Sequence, residues 1–172
     1  MRTVLISILA LFVGQAVYAA GSSSIAIKPL NKDGEEVRSW LVYPAVKPGA
    51  IIKDSVVVSN SSDKPVTVLV YMVDAKNASD GGYAPNADDM PVVDLGSWAK
   101  LDQSEILLAP NEEKIVNLTI KVPMKVVPGD HAATVLVRKK DVAEELGKQT
   151  TVKVIMRMGL RIYLTVDGPV LK

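Results

Sequence analysis

The chain is predicted to fold as an all-β sandwich, and three observations predict it. Val supplies 26 of the 172 residues, and β-branched side chains suit a pleated, half-buried surface. Apolar and polar residues alternate with period two, most cleanly where Val116, Leu118, Ile120 and Val122 interleave with Asn117, Thr119 and Lys121. Turn signals such as Pro48-Gly49 and Pro128-Gly129 separate these runs, and no stretch sustains a helical period. A chain of 172 residues is long enough to bury one core.

Residues 1–20 follow a different rule. Arg2 is followed by an apolar run over 4–13 and then by Val17-Tyr18-Ala19, the small-residue junction of a secretory signal. That run falls short of the ~20 residues needed to cross a bilayer. No later run reaches that length, so residues 21–172 are expected to form one exported domain with no transmembrane anchor.

The strands are then predicted in order. Residues 24–29 open the series, and 37–43 follow until Pro44 stops them. After Pro48-Gly49 comes a strand over 51–59, then a polar loop over 60–65. Val66, Val68, Val70 and Met72 share one face. Short strands are expected over 98–101 and 105–108, and Pro110-Asn111-Glu112 turns the chain into the 116–122 strand. Residues 132–138 follow, then two alternating runs, Val152, Val154, Met156, Met158 and Leu160, Ile162, Leu164, Val166. The period assigns Val68, Val70, Val116, Leu118, Ile120, Val135, Val154 and Leu164 to the core between the sheets. A single helical turn is possible over 141–146. Residues 75–97 break the rhythm, with a small hairpin expected around Val92-Val93. A connection this long in a compact domain is usually functional.

Composition removes whole function classes. With 20 Lys+Arg against 19 Asp+Glu the net charge is +1, so general nucleic-acid binding is not expected. The absence of Cys removes disulfides, thiol nucleophiles and zinc-thiolate sites, and a single histidine, His131, removes multi-His metal sites. His131 reads as an exposed turn residue at a strand start rather than part of a triad, and no G-x-S-x-G elbow is present. Carboxylate pairs such as Glu35-Glu36 and Glu112-Glu113 read as solvated turns, because neighbours on a strand point to opposite faces.

Two candidate sites remain. Asp74, Asn77, Asp80, Asp88 and Asp89 offer the hard oxygen ligands that Ca2+ takes, though EF-hand spacing is absent and turn formation is the plainer reading. No cofactor is expected beyond that calcium option. Among the aromatics, Tyr83 between Gly82 and Ala84 is expected to be the most exposed and the best ligand contact, ahead of Trp98 and Trp40. Asn60, Asn77 and Asn117 begin Asn-x-Ser/Thr sequons, which matter only in a eukaryotic secretory path.

The order of small motifs adds a family. Tyr43-Pro44 and Lys47-Pro48-Gly49 are followed by Asp54-Ser55-Val56-Val57-Val58 and Asn60-Ser61-Ser62-Asp63-Lys64-Pro65. Then come Asp74-Ala75, Asp80-Gly81-Gly82, Trp98, Leu108-Ala109-Pro110-Asn111-Glu112, Val127-Pro128-Gly129-Asp130-His131 and the run from Arg157 to Val166. This series resembles the N-terminal, peptidoglycan-binding-type domain of WxL-interacting proteins, over about residues 25–168. The resemblance implies an immunoglobulin-like antiparallel β-sandwich of about 7–9 strands. It also implies a non-catalytic bacterial surface module, exported to the periplasm or cell surface, that binds cell-wall polymer or an envelope protein. Two rivals stand beside it: a periplasmic assembly chaperone acting by strand donation, and a small hydrolase.

The exported protein is expected to begin at Ala20 or Gly21. N-terminal sequencing of exported material checks this, and retention of residues 4–13 would mean an uncleaved anchor.

Overall fold

The computed structural model describes residues 24–30, 38–77, 82–140 and 155–168. Among the described residues ten strands lie in two sheets that face each other. The first sheet orders β1 (Ile25–Pro29), β3 (Ile51–Asn60), β8 (Glu113–Lys121) and β6 (Ala99–Leu101). The second orders β2 (Leu41–Val46), β10 (Arg157–Val166), β9 (Gly129–Lys139) and β4 (Val66–Asn77). β5 (Tyr83–Pro85) and β7 (Glu105–Leu108) both pair with β4, at its end and at its start. This is an immunoglobulin-like sandwich. The chain changes sheet at every step except from β4 to β5 and from β9 to β10.

The period-two reading of the core holds. Val68, Val116, Ile120 and Val135 are fully buried, and Val70, Leu118 and Leu164 are at most 1% exposed. Val154 lies outside the described residues, as do 1–20 and 141–146. Leu41, Leu95, Leu108 and Ile162 complete the same cluster. The pairing Val56↔Val116 in one sheet and Ile162↔Ala133 in the other places these side chains on the two inner faces.

Several expectations are corrected. β10 is one strand from Arg157, because Gly159 does not interrupt it. Gly159 lies opposite Leu136, and an added Cβ there would meet Thr134 Cγ2 at 2.8 Å, so glycine permits close packing. β2 begins at Leu41 rather than 37 and continues through Pro44 to Val46. It runs parallel to β10, against the expected wholly antiparallel arrangement, and its register shifts where Ala45 takes φ 52°. Proline is tolerated there because β2 is an edge strand. The hairpin in the 75–97 region is not at Val92-Val93. It is formed by β4 and β5, with Asn77 opposite Tyr83, and Val93 is 77% exposed. The expected 98–101 strand is β6, starting one residue later at Ala99, because Trp98 ends a helical turn, α1 (Leu95–Trp98).

The sequence motifs are mostly framework. Asn60 is buried, and its amide donates to the Lys64 and Ala109 carbonyls while its Oδ1 accepts from Ser62 N. Glu112 closes the next turn by accepting from Ala109 N at 2.6 Å, with Asn111 at φ 55°. Gly49 takes φ 81°, which suits glycine, at the turn into β3.

One polar cluster ties the crossover between sheets to β3. Asp54 Oδ2 accepts from Tyr43 OH at 2.8 Å and from Arg38 at 3.2 Å, while Oδ1 accepts from Ser55 N. Arg38 also donates to the Leu30 carbonyl at 2.7 Å. Burial raises the Tyr43 hydroxyl far above the ordinary tyrosine range, and Asp54 raises it further. Burial also pushes the Asp54 carboxyl up, but the Ser55 amide, the Tyr43 hydroxyl and Arg38 together outweigh it and hold Asp54 below its usual value.

Two predictions follow from this packing. Leu118→Ala should cost ~2–5 kcal/mol in urea denaturation, and a loss under about half a kcal/mol would contradict its core position. Asp54 has a lowered folded pKa, so its contribution is present above the unfolded carboxylate value and is lost as pH falls through the folded one. Asp54→Asn should therefore flatten the fall in stability below about pH 4, and an unchanged acid limb of the pH–stability curve would count against the cluster.

Candidate functional site

At one end of the sandwich β4 delivers a carboxylate into a buried position. Asp74 is 5% exposed and accepts three backbone amides: Val93 N at 2.6 Å and Asp94 N at 2.9 Å on Oδ2, and Gly96 N at 2.7 Å on Oδ1. These bonds fold the 93–96 segment over the end of β4 and start α1. Gly96 is required by the close approach. A Cβ there would stand 2.7 Å from Val92 Cγ1, 2.8 Å from Asp74 Oδ1 and 3.0 Å from the Val73 carbonyl carbon.

The segment so placed aims Asp94 at β9. Asp94 Oδ1 meets His131 Nδ1 at 2.7 Å, and His131 Nε2 faces the Val127 carbonyl at 3.0 Å. The Trp98 indole packs on the His131 ring with centroids 4.7 Å apart. His131 is thus not an exposed turn residue: its side chain is only 12% exposed. Both ring nitrogens are engaged by protein oxygen atoms, one by the Asp94 carboxylate and one by the Val127 carbonyl.

Beside this pair lies a cavity of about 370 Å³, lined by Ala75, Asp94, Asp130, His131, Ala132, Tyr163, Leu164 and Thr165. The sheet register explains the grouping. His131 lies opposite Leu164, Ala132 opposite Tyr163 and Asp130 opposite Thr165. Thr165 Oγ1 donates to Asp130 Oδ1 at 2.7 Å. Next to the cavity, the Tyr83 ring meets Tyr163 edge-on at 5.4 Å, and Arg161 stands 5.0 Å from the Tyr83 centroid. Tyr83 OH bonds to the Ala133 carbonyl and to Thr134 Oγ1. Burial raises its hydroxyl above the ordinary tyrosine value.

The sequence-predicted site residues scatter. Tyr83 is half-buried, with its hydroxyl held by β9, so it braces Tyr163 instead of being the exposed aromatic. Trp98 is half-buried against the core and His131. Trp40 is 50% exposed just before β2 and is absent from the cavity lining. Among the oxygen ligands, Asp74 has both oxygens committed to amides, and Asp88 accepts from Tyr71 OH at 2.9 Å and pairs with Arg157. Asp89 is an exposed turn residue, Asn77 ends β4, and Asp80 lies outside the described residues. Among the described residues no three His, Asp or Glu side chains are grouped to hold a metal. The cavity residues Asp94, Asp130, Tyr163 and Thr165 were not singled out by sequence reasoning as a ligand site. The usable signal was phase: Tyr163 and Thr165 alternate with the core residues Ile162 and Leu164, and so face outward on β10.

Comparison with known proteins follows from this geometry. The family described as WxL Interacting Protein, peptidoglycan binding domain, matches residues 44–139. A comparison with curated protein sequences returned no match. Among solved structures, a family 123 glycoside hydrolase from Clostridium perfringens aligns with TM-score 0.55 at 12% identity, over 86% of this chain and 28% of that one. A chain from a chaperone–tip adhesin complex of CFA/I fimbriae biogenesis aligns with TM-score 0.52 at 12% identity, over 84% of this chain and 57% of that one. The PapD-like domain 7 of human CEP192 aligns over its whole length and 95% of this chain, at 13% identity and TM-score 0.48. At such identities the likeness is one of fold. Among the described residues no helix is long and apolar enough to cross a membrane.

Removing the Asp74 carboxylate should release the 93–96 segment. Asp74→Ala leaves three buried or half-buried amides without their acceptor and is expected to cost on the order of 3 kcal/mol in urea denaturation. The Trp98 indole resonance should shift as its packing on His131 loosens. An unchanged stability and an unchanged Trp98 resonance would show that the segment is held by other contacts.

Proposed function

The chain belongs to the WxL-interacting-protein peptidoglycan-binding-domain family, and from that premise we propose that it is an exported, non-catalytic module of the bacterial envelope that binds peptidoglycan through the cavity between β9, β10 and the Asp74-held segment. One observation supports this location most: the cavity lies where the Asp74-held 93–96 segment meets the strand ends of a rigid sheet. Ligand sites commonly sit where loops are held by such a scaffold. The cavity combines an aromatic ring, a hydroxyl and carboxylates, which are groups that recognise hydroxyls, amides and amines of a wall polymer. His131 has no free nitrogen and no serine or threonine at either one, which argues against the hydrolase rival.

Strand addition by an envelope protein keeps one observation in its favour. β2 pairs with β10 only from Ile162 to Val166, and Ile155 and Met156 just before β10 and Met158 at its start are 37–50% exposed. An edge of this kind can pair with an added strand.

A sedimentation assay with purified insoluble peptidoglycan separates the two. The mature protein should co-sediment, and Tyr163→Ala should lower the bound fraction at least tenfold while leaving the circular dichroism unchanged. Met158→Asp, on the open part of the β10 edge, should bind like the parent. Loss of binding in Met158→Asp alone would move the site to the strand edge.

A further inference from the structure

We propose that the cavity selects a free ammonium group on the wall polymer, the side-chain amine of a diamino acid in an un-cross-linked stem peptide, and that Asp130 is its counter-ion. The inference rests on the peptidoglycan reading above and adds the chemical group that is recognised.

The lining holds two carboxylates, Asp94 and Asp130, and neither Lys nor Arg. The two acids are not equivalent. Asp94 is committed to His131 at 2.7 Å. Asp130 accepts the Thr165 hydroxyl on Oδ1 at 2.7 Å, and among the described residues no cation pairs with it. Thr165 thus holds one carboxylate oxygen, and among the described residues no hydrogen bond engages the other. A charge-assisted hydrogen bond from an ammonium is roughly twice as strong as a neutral one.

The Tyr163 ring lines the same cavity. A carboxylate beside an aromatic ring is a pairing that recognises ammonium groups. Next to the cavity Arg161 stands 5.0 Å from the Tyr83 centroid, a cation over an aromatic ring. Arg161 is absent from the lining, so it does not neutralise Asp130 within the cavity.

The other groups of a wall polymer fit less well. A stem-peptide carboxylate or a phosphate would meet two acids with no Lys or Arg in the lining, and like-charge juxtaposition costs several kcal/mol. A neutral sugar would satisfy hydrogen bonds but would cover the Asp130 charge without compensating it. An amine alone matches both the charge and the ring. Cross-linking or acetylation consumes that amine, so the domain would discriminate unlinked wall from linked wall.

The test compares insoluble peptidoglycan rich in free diamino-acid amines with the same material acetylated by acetic anhydride. The parent protein should co-sediment with the first at least tenfold better than with the acetylated form. Asp130→Asn should bind the native material weakly and lose the difference between the two. Thr165→Val, which keeps the acid but not its orientation, should reduce the difference partly. The soluble tripeptide L-Ala-γ-D-Glu-L-Lys should shift the amide resonances of Tyr163 and Thr165, and its Nε-acetyl derivative should not. Equal retention of native and acetylated wall by the parent overturns the amine assignment and leaves wall binding standing. Retention of neither overturns both readings. Discrimination that persists in a folded Asp130→Asn assigns the amine to another residue and overturns the role given to Asp130.

Discussion

The end of this sandwich that holds the candidate site depends on the buried Asp74 carboxylate. An ionised carboxylate out of water is costly unless it is hydrogen-bonded, and here three main-chain amides from one short segment supply the bonds. The consequence propagates outward. The amides fix residues 93–96, that segment fixes Asp94, and Asp94 holds His131, which also contacts the Val127 carbonyl. β4, the start of α1, the first residues of β9 and the connection before β9 are thereby locked together. Tyr83 adds a second brace from the β4–β5 hairpin to β9 through Ala133 and Thr134. The cavity between these braces is framed from several directions even though its edges come from loops.

What was legible in the sequence was whatever depends on local periodicity. Val116, Leu118 and Ile120 alternate with exposed or half-buried residues along β8, and the inference from two-residue spacing to burial needs no partner. Turn chemistry was similarly local, as at Gly49 and Asn111. What failed was non-local pairing. Nothing near Leu41 announces that β2 will lie parallel to β10, since the partner is more than a hundred residues away. The hairpin was misplaced to Val92-Val93 because β-branched residues suggest a strand. Asp74 draws those residues into a different path through backbone amides, which carry no sequence signature.

The candidate site illustrates the same limit from the chemical side. Asp74 and Asp88 look like metal ligands in a string of letters because only the acceptor is visible there. In the fold their partners are donors from elsewhere, main-chain N–H groups for one and Tyr71 with Arg157 for the other. Tyr83 looked exposed because glycine and proline surround it, yet its hydroxyl reaches β9 and its ring supports Tyr163. Asn60 begins a sequon, but a buried amide that holds the Lys64 and Ala109 carbonyls is a framework part. The motifs that carry the family resemblance are therefore largely structural. The groups facing the cavity are ordinary residues at strand ends.

Charge placement carries the last step. The chain is nearly neutral overall, at +1, so an unbalanced group must be sought locally. Around the second sheet three cations are engaged: Arg157 with Asp88, Lys140 with Glu105 and Arg161 over the Tyr83 ring. On the first sheet Lys28 pairs with Glu113. Such exposed pairs add little stability, but they remove cations from competition for other acids. Asp94 is satisfied by the single histidine of the chain. Asp130 is left beside an aromatic ring with a hydroxyl holding one oxygen, so the electrostatics of this end favour a cation from outside the protein. The sandwich itself accounts for the rigidity of the cavity. On the proposed reading, the pairing pattern of a few surface charges would account for which ligand it prefers.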